Sequence, residues 1–486
     1  MANTIRIMTL VITSALLAAP ALAQQEDLMD IYQRALQNDP AIREAEANYL
    51  ATAEVKPQAR SNIMPGLSFS ASKSHQFSQS STPAVVQGSG QAFGVGTEFL
   101  SDRDQWSVSL TQTLFDWARF AQLKQADKRV MKAETDYEAA KQDLLIRVSD
   151  AYFNVLAAED SLASAVAARE SLARQLEQAQ RRFDVGLIAI TDVQQSQAGY
   201  DDAVATEIEA QRVLATSHEQ LREIIGDIVT DLASPMDNLP LLTPDPANAE
   251  QWVQTALSQN LTLLSSRINA DIAQDDIQIQ RAARLPTLSL SAGYNDSTTN
   301  QVYTIFNPPP QGTLRNPSTN APHGYNWSLD VRVPIFTGGL NHSRIQQSVY
   351  THRAATETLE RIARQTERQA RDSYLGVISK ISQVRALRQS VESNRTALRA
   401  TEAGFEVGTQ TTVDVLQSQN NLRRAETSYS RSRYDYIMDV LRLKQAAGSL
   451  SADDIQQVNG WLREGGTTPP AQPPAPAPAQ APAQQQ

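Results

Sequence analysis

The sequence predicts a mixed α/β fold in which one unit of strands and long helices occurs twice in tandem. Residues 182–197 and 404–419 share a Phe, an acidic residue, Val and Gly, followed by Asp-Val and Gln-Ser-Gln in one register. Other landmarks, such as Trp106 and Trp327 or Tyr152 and Tyr374, recur at nearly the same offset. A repeat this long indicates duplication of a whole unit and not a solenoid of short repeats.

The N-terminal residues have the pattern of a secretory signal. Arg6 precedes an apolar run over residues 7–19, and Ala21-Leu22-Ala23 fits a cleavage site, so export is predicted. The predicted divisions are a signal peptide at 1–23, a first repeat at 24–235, a second repeat at 236–464 and a tail at 465–486. The tail is rich in Pro, Ala and Gln, a composition that predicts disorder because it cannot bury a core.

The composition argues against several functions. A formal net charge of -10 argues against nucleic-acid binding. The chain has no cysteine, and none of its five histidines has the spacing of a metal-ligand motif. It contains no nucleophile elbow, phosphate-binding loop or dinucleotide fingerprint. We therefore predict that the protein is not an enzyme and binds no cofactor.

Each unit is predicted to begin with one helix, at 27–62 in the first copy and 247–283 in the second. Each helix ends before a proline, Pro65 or Pro286, which cannot continue it. Strands follow, because apolar and polar residues alternate strictly. The predicted strands lie at about 66–78, 104–115, 287–296 and 325–336, and the predicted long loops at 78–104 and 296–323.

The alternation leaves two architectures open for these strands. One apolar and one polar face are typical of a half-buried sheet in a soluble protein. The same pattern with Trp and Tyr at the ends of the apolar band is typical of a transmembrane barrel. No run after the signal is apolar and long enough for a transmembrane helix.

Helical hairpins are predicted at 116–225 and 338–447. The segment 118–185 lacks both Gly and Pro and would span on the order of 100 Å as a helix. Apolar or small residues recur along it at every seventh position, from Leu123 to Leu172, which predicts a coiled-coil seam. Gly226 and Gly448 are predicted to cap the ends of the return helices.

The starts of the return helices are predicted from capping residues. Thr191 with Gln194, and Thr411 with Asp414, have the spacing of a capping box. Asp192 and Asp414 then lie in the first turn, where a negative charge stabilises the helix dipole.

The chain resembles the TolC-type outer-membrane efflux and secretion channels. The resemblance is carried by residues 180–194, 151–156, 38–40 and 333–339, and it extends in order over about 25–450. It implies a homotrimer with a twelve-stranded transmembrane β-barrel, four strands from each chain, above a long periplasmic helical barrel. It also implies contacts with outer-membrane lipid, a periplasmic adaptor and an inner-membrane transporter of the RND or ABC type.

The resemblance also implies a gate and a docking site at the hairpin tips. The residues implied at the periplasmic aperture are Asp414, Gln417, Gln410, Phe405, Thr191, Asp192 and Arg433, with a cation at a ring of Asp414 carboxylates. The residues implied at the adaptor-docking tips are Val185, Gly186, Leu187, Val407, Gly408 and Thr409. Two positions depart from the family pattern: Gln417 replaces a second aspartate, and Gln410 replaces an arginine. We expect one carboxylate ring and a weaker latch between inner and outer coils.

Two other functions are compatible with parts of the sequence. A soluble periplasmic coiled-coil scaffold or adaptor would share the signal and the helices but leaves the four strands unexplained. A periplasmic hydrolase has no motif in its favour. A passive export conduit accounts for all of these segments.

Overall fold

The computed structural model describes residues 25–85, 92–229, 231–236, 239–306 and 312–462. The predicted signal peptide and the predicted tail lie outside the described residues. The chain divides into two compact units. One comprises 45–138 and 261–365 and contains every strand; the other combines 139–260 with the chain up to residue 44 and from residue 366.

The element order repeats, as the sequence predicts. The first repeat contains α1 (Leu28–Asn38), α2 (Pro40–Ala53), α3 (Val55–Ser61), β1 (Gly66–Val85), β2 (Ala92–Phe115), α4 (Trp117–Asp184) and α5 (Ile190–Ile225). The second contains α6 (Ala249–Gln259), α7 (Leu261–Ala282), β3 (Thr287–Phe306), β4 (Thr313–Asn320), β5 (His323–Arg332), α8 (Leu340–Glu406), α9 (Thr412–Ala447) and α10 (Ala452–Asn459). Both long hairpins are therefore confirmed.

The prediction of one continuous helix at the start of each repeat is wrong. The first is broken at Asp39 and the second at Asn260, and both residues have extended backbone conformations. Asp39 precedes Pro40, and the proline ring sterically disfavours the helical conformation of the residue before it. No proline follows Asn260; its side-chain amide instead donates a hydrogen bond of 3.0 Å to the carbonyl of Ala446.

The predicted strands are too short, and the predicted loops between them are wrong. β1 and β2 pair without interruption from Gly66 with Thr111 to Val85 with Ala92. β3 likewise continues to Phe306, where it pairs with β4. Ladder hydrogen bonds use backbone groups, so a segment rich in Ser and Thr can extend a hairpin.

The fourth predicted strand corresponds to β5 and ends early, and β4 lies within the predicted loop 296–323. β4 and β5 both pair with β3 and are separated by Ala321 and Pro322. β5 ends at Arg332, because Pro334 has no N–H group to donate to a ladder. All pairings in this five-stranded sheet are antiparallel.

The two faces of the sheet differ in chemistry, as the alternation predicts. On one face Ser68 and Ser70 of β1 hydrogen-bond Ser109 and Ser107 of β2, at 2.6 and 2.8 Å. On the opposite face Trp106 packs between two aromatic rings, with centroid distances of 6.4 Å to Phe69 and 5.3 Å to Tyr294. The face that carries Leu67, Phe69 and Trp327 is exposed in the single chain.

The core of the other unit is built around the long helices. The heptad positions Leu144, Ala151, Ala158 and Ala165 of α4 are buried. Tyr152 is fully buried, and its hydroxyl donates a hydrogen bond of 2.6 Å to the carbonyl of Ala233 in the segment that joins the repeats. Burial raises the pKa of this hydroxyl, because the apolar surroundings disfavour the charged phenolate.

The ends of the two return helices confirm the predicted glycine caps. Gly226 and Gly448 adopt left-handed conformations, with φ of 78° and 76°. Matching asparagines of the two repeats lie beside them: Asn38 donates to the carbonyl of Ile225 at 2.9 Å, and Asn260 donates to that of Ala446. These bonds satisfy carbonyls that the end of a helix leaves without partners.

Within the described residues, no helix combines the length and the apolar character needed to cross a membrane.

Candidate functional site at the hairpin tips

The two hairpin tips have the same backbone geometry. Gly186 has φ of 78° and Gly408 has φ of 81°, a region that side chains with a Cβ rarely adopt. The N–H groups of Gly186 and Leu187 donate to the carbonyls of Phe183 and Arg182, both at 2.8 Å. This pair of bonds is a Schellman motif, and Gly408 and Thr409 form the same pair on Phe405 and Gly404.

Apolar side chains project from both tips. Val185, Leu187 and Val407 expose 69%, 73% and 75% of their surfaces. In the part of the chain that the structure describes, and apart from the adjacent residues, no heavy atom lies within 4 Å of the position that a Cβ would take at Gly186 or at Gly408. Both tips therefore present an apolar surface with free space around the glycine.

An arginine that the sequence analysis did not select contacts the second tip. The guanidinium carbon of Arg182, at the end of α4, lies 5.3 Å from the ring centroid of Phe405, at the end of α8. A cation over an aromatic face is attracted by the ring quadrupole, by about 0.5–1 kcal/mol at an exposed site. The sequence contained one indication of this contact. Arg182 precedes Phe183 in the first copy of the repeated stretch, and Phe183 corresponds to Phe405 in the second.

The predicted capping box at the start of α9 is confirmed. The Asp414 carboxylate accepts hydrogen bonds from the backbone N–H and the hydroxyl of Thr411, at 2.8 and 2.7 Å. The N–H of Asp414 donates to the Thr411 hydroxyl at 3.3 Å. The bonds from the hydroxyl and the backbone of Thr411 lower the pKa of the Asp414 carboxyl, so a single chain holds it ionised.

The predicted capping box at Thr191 is wrong. α5 begins at Ile190, two residues before the predicted start at Asp192, and its N-cap is Ala189, which has no side-chain acceptor. Asp192 does lie in the first turn, as predicted, and is half-buried. The chain thus enters the helix before Thr191, which leaves the Thr191 side chain exposed and outside a cap.

Both glutamines that replace charged residues of the family pattern make local contacts. Gln410 packs over Gly404; a Cβ placed on that glycine would lie 2.7 Å from the Gln410 Cγ. The Gln417 amide donates to Asn421 one helical turn further along α9, at 3.0 Å. Neither residue supplies a charge to the tip.

The structure does not bring Arg433 to the tips. It lies 19 positions after Asp414 on the same helix, which is about 28 Å at the helical rise per residue. The side chain is only 9% exposed and its guanidinium lies 5.5 Å from the Tyr429 ring centroid. Arg433 is therefore about five helical turns from Asp414 along α9.

A groove runs beside the tips between α4, α8 and α9. Its volume is about 360 Å³, and its lining includes Leu172, Leu398 and Leu416 together with Arg423 and Glu426. α5 packs closely on α9 at the same level, where a Cβ on Gly199 would lie 3.2 Å from a methyl group of Leu416.

Among the described residues, no three His, Asp or Glu side chains lie close enough together to hold an ion.

Comparisons with known proteins agree with this geometry. The family model for "Outer membrane efflux protein" matches residues 31–227 and 252–449, once in each repeat. The outer membrane protein TolC of Vibrio cholerae serotype O1 is 33% identical over 458 residues, which cover 94% of this chain and 99% of that protein. The alkaline protease secretion protein AprF of Pseudomonas aeruginosa is 28% identical over 437 residues, which cover 89% of this chain and 86% of AprF.

Solved structures share the fold at low sequence identity. The Campylobacter jejuni CmeC outer membrane channel has a TM-score of 0.66 at 15% identity, with 89% of each chain covered. The outer membrane protein VceC from Vibrio cholerae has a TM-score of 0.67 at 16% identity, with 87% of this chain and 96% of VceC covered.

The two repeats, each with one long helical hairpin and strands of a shared sheet, form the fold seen in the solved outer membrane channels. The chain belongs to the outer membrane efflux protein family. The protein is accordingly located in the outer membrane, where it forms an efflux channel.

Proposed function

We propose that three copies of this chain form one passive conduit that carries small molecules or proteins from an inner-membrane pump across the periplasm and the outer membrane. The conduit would work in tripartite efflux or in type I secretion, with a periplasmic adaptor and an RND or ABC transporter as partners. It would need neither cofactor nor catalytic group, because the pump supplies the energy. The 1–23 segment is proposed as a cleaved export signal.

The open edges of the sheet are the main observation in favour of a trimer. Among the described strands, β1 pairs only with β2, and β4 and β5 pair only with β3. Both edges therefore have backbone groups without partners, and in lipid each such group is costly. Closing the edges of three copies on one another would satisfy those groups and give one barrel in place of three open sheets.

The chemistry of the two faces supports the same arrangement. The apolar face carries Leu67, Phe69, Trp106, Tyr325 and Trp327, of which Tyr325 is 85% exposed in the single chain. In a membrane this face would be buried against lipid, while the serine-rich face would line an aqueous lumen. A soluble scaffold would leave the apolar face in water.

The assembly can be tested by mass measurement. Protein extracted from outer membranes in detergent is expected to have three times the mass of the mature chain and to form ion channels in planar bilayers. Recovery in the soluble periplasmic fraction would instead support the scaffold. A monomer that still conducts ions would contradict the trimer.

Asp414 is proposed to gate the periplasmic entrance as a ring of three carboxylates. Close approach of like charges would favour a bound cation and oppose the pKa lowering that Thr411 causes within each chain. We expect Asp414→Ala to weaken block by divalent cations several-fold in single-channel recordings, because the charged ring is lost.

Thr411→Ala is the matched control for this prediction. It removes the hydroxyl that caps α9 and bonds Asp414, but it retains the carboxylate. If loss of the cap causes the effect, both variants should lose block equally; if the ring causes it, Thr411→Ala should keep block. Unchanged block in Asp414→Ala would exclude this residue as the gate.

A further inference from the structure

The polar face of the sheet carries a single charged side chain over most of its length. Directly paired residues of antiparallel strands lie on the same face. From β1 to β3, the rows on this face read Ser68-Ser109-Gly293, Ser70-Ser107-Asn295, Ser72-Gln105-Ser297, Ser74-Arg103-Thr299 and Gln76-Ser101-Gln301. Hydroxyl and amide groups therefore surround Arg103, the one charge in these rows.

Strand alternation separates Arg103 from its acidic neighbours in sequence. The segment Asp102-Arg103-Asp104 looks electrically balanced, but successive side chains of a strand point to opposite faces. Both aspartates are on the apolar side, where each meets a base of β1. Lys73 lies 3.2 Å from Asp104, and His75 lies 2.6 Å from Asp102.

No hydrogen bond or ion pair joins the Arg103 side chain to another residue in the described part of the chain, and the side chain is exposed. The next charge on the same face is Asp330, opposite Ser289, ten positions along β3 from Thr299. Ten positions are about 33 Å along a strand. Screening at physiological salt has a length of about 8 Å, so Asp330 does not neutralise Arg103.

We propose that Arg103 determines the charge selectivity of the lumen. The inference rests on the proposed trimer, in which the polar faces of three chains would line one pore. Three guanidinium groups would then form a positive ring just past Trp106 and Tyr294, the aromatic residues that end the apolar band. The ring attracts carboxylate, phosphate or sulfate groups on the passing cargo and disfavours cationic groups.

The absence of cysteine makes the local potential measurable. Ser74→Cys and Thr299→Cys would each place the only thiol of the chain in the same row as Arg103, one on each side of it. Purified trimers of each variant are treated with an anionic and a cationic methanethiosulfonate reagent. The measured quantity is the ratio of the anionic to the cationic reaction rate, with Arg103 present and in the Arg103→Gln background.

We expect Arg103→Gln to lower this ratio about threefold or more at low ionic strength, and the difference to vanish in roughly 1 M salt. Arg103→Lys, which keeps the charge, should retain the high ratio. Lys73→Gln is the matched control, since it removes a positive charge near the same level of the sheet but from the apolar face; the ratio should not change.

Failure of the selectivity role and failure of the proposed assembly give different results. A trimer whose ratio is the same with Arg103, Gln or Lys at this position would overturn the selectivity role and leave the conduit intact. Parent protein that purifies only as a monomer would overturn the proposed assembly, and the selectivity role with it. A ratio that responds to Lys73→Gln as strongly as to Arg103→Gln would also overturn the inference, because a charge on the apolar face would then have the same effect as Arg103 on the polar face.

Discussion

Gly448→Ala is expected to prevent the folded protein, and with it the proposed trimer, from accumulating, whereas Gly226→Ala at the matching site of the first repeat should still fold. A Cβ on Gly448 would lie 2.3 Å from the carbonyl oxygen of Gln259 and 2.8 Å from the Cα of Asn260. These are backbone atoms at the break between α6 and α7, so no side-chain rotation can relieve the overlap.

The duplication supplies the control for this prediction. Gly226 has the same left-handed backbone, but a Cβ there would meet only the Cβ of Asn38, at an ordinary 3.7 Å. Gly226→Ala should therefore lose only the left-handed penalty of roughly 1–2 kcal/mol. Gly448→Ala adds overpacking, which costs about another 1–3 kcal/mol or more.

The measurement is the amount of trimer in outer-membrane extracts and the temperature at which it dissociates. Both should fall far more for Gly448→Ala than for Gly226→Ala. Equal effects of the two substitutions would mean that the close approach of Gln259 does not constrain Gly448.

A bulky residue at the tips, in the double variant Gly186→Phe with Gly408→Phe, is expected to abolish export while leaving the trimer assembled. Nothing lies within 4 Å of a Cβ at either position, so the added rings would project into solvent and would not disturb packing within the chain. If the apolar tips dock on an adaptor, the rings would obstruct that contact.

Gly186→Asn with Gly408→Asn is the matched control, because asparagine tolerates the left-handed conformation better than other residues with a side chain. It keeps the turn with a smaller polar side chain. Export is measured as efflux of a fluorescent dye from cells in which this protein is the only outer-membrane channel, alongside the amount of trimer.

The two explanations of the tip glycines predict different outcomes. If docking matters, the Phe variant should lose dye efflux and crosslinking to the adaptor at a normal amount of trimer. If the glycines serve only the turn, efflux should fall only as far as the amount of trimer falls. Normal efflux by the Phe variant would exclude the tips as a docking surface.

Much of the architecture was predictable because it depends on short-range patterns. The hairpin tips follow from glycines between long segments without Gly and Pro, and the capping box at Thr411 follows from a spacing of three residues. The same spacing at Thr191 predicted a capping box that does not form, because α5 begins at Ile190 and has Ala189 as its N-cap. The break at Asp39 could also have been predicted, from Pro40.

The contacts between distant segments were not predictable from the same patterns. Asn260 breaks its helix without a proline because its amide caps the end of α9, some 186 residues away in sequence. Arg182 meets Phe405 only because the two hairpins pack side by side. Arg433 lies beside the half-buried Tyr429 and the buried Tyr434, because its position along α9 decides its neighbours.

The sequence by itself thus determined the duplication, the hairpins and the two chemically different faces of the sheet, because each depends on the local periodicity of side chains. Tertiary structure alone decided how far the strands pair, which glycine contacts a backbone, and which residues of β1 lie opposite Asp102 and Asp104. These features depend on register and packing between segments far apart in the chain, where one residue of register moves a side chain to the opposite face.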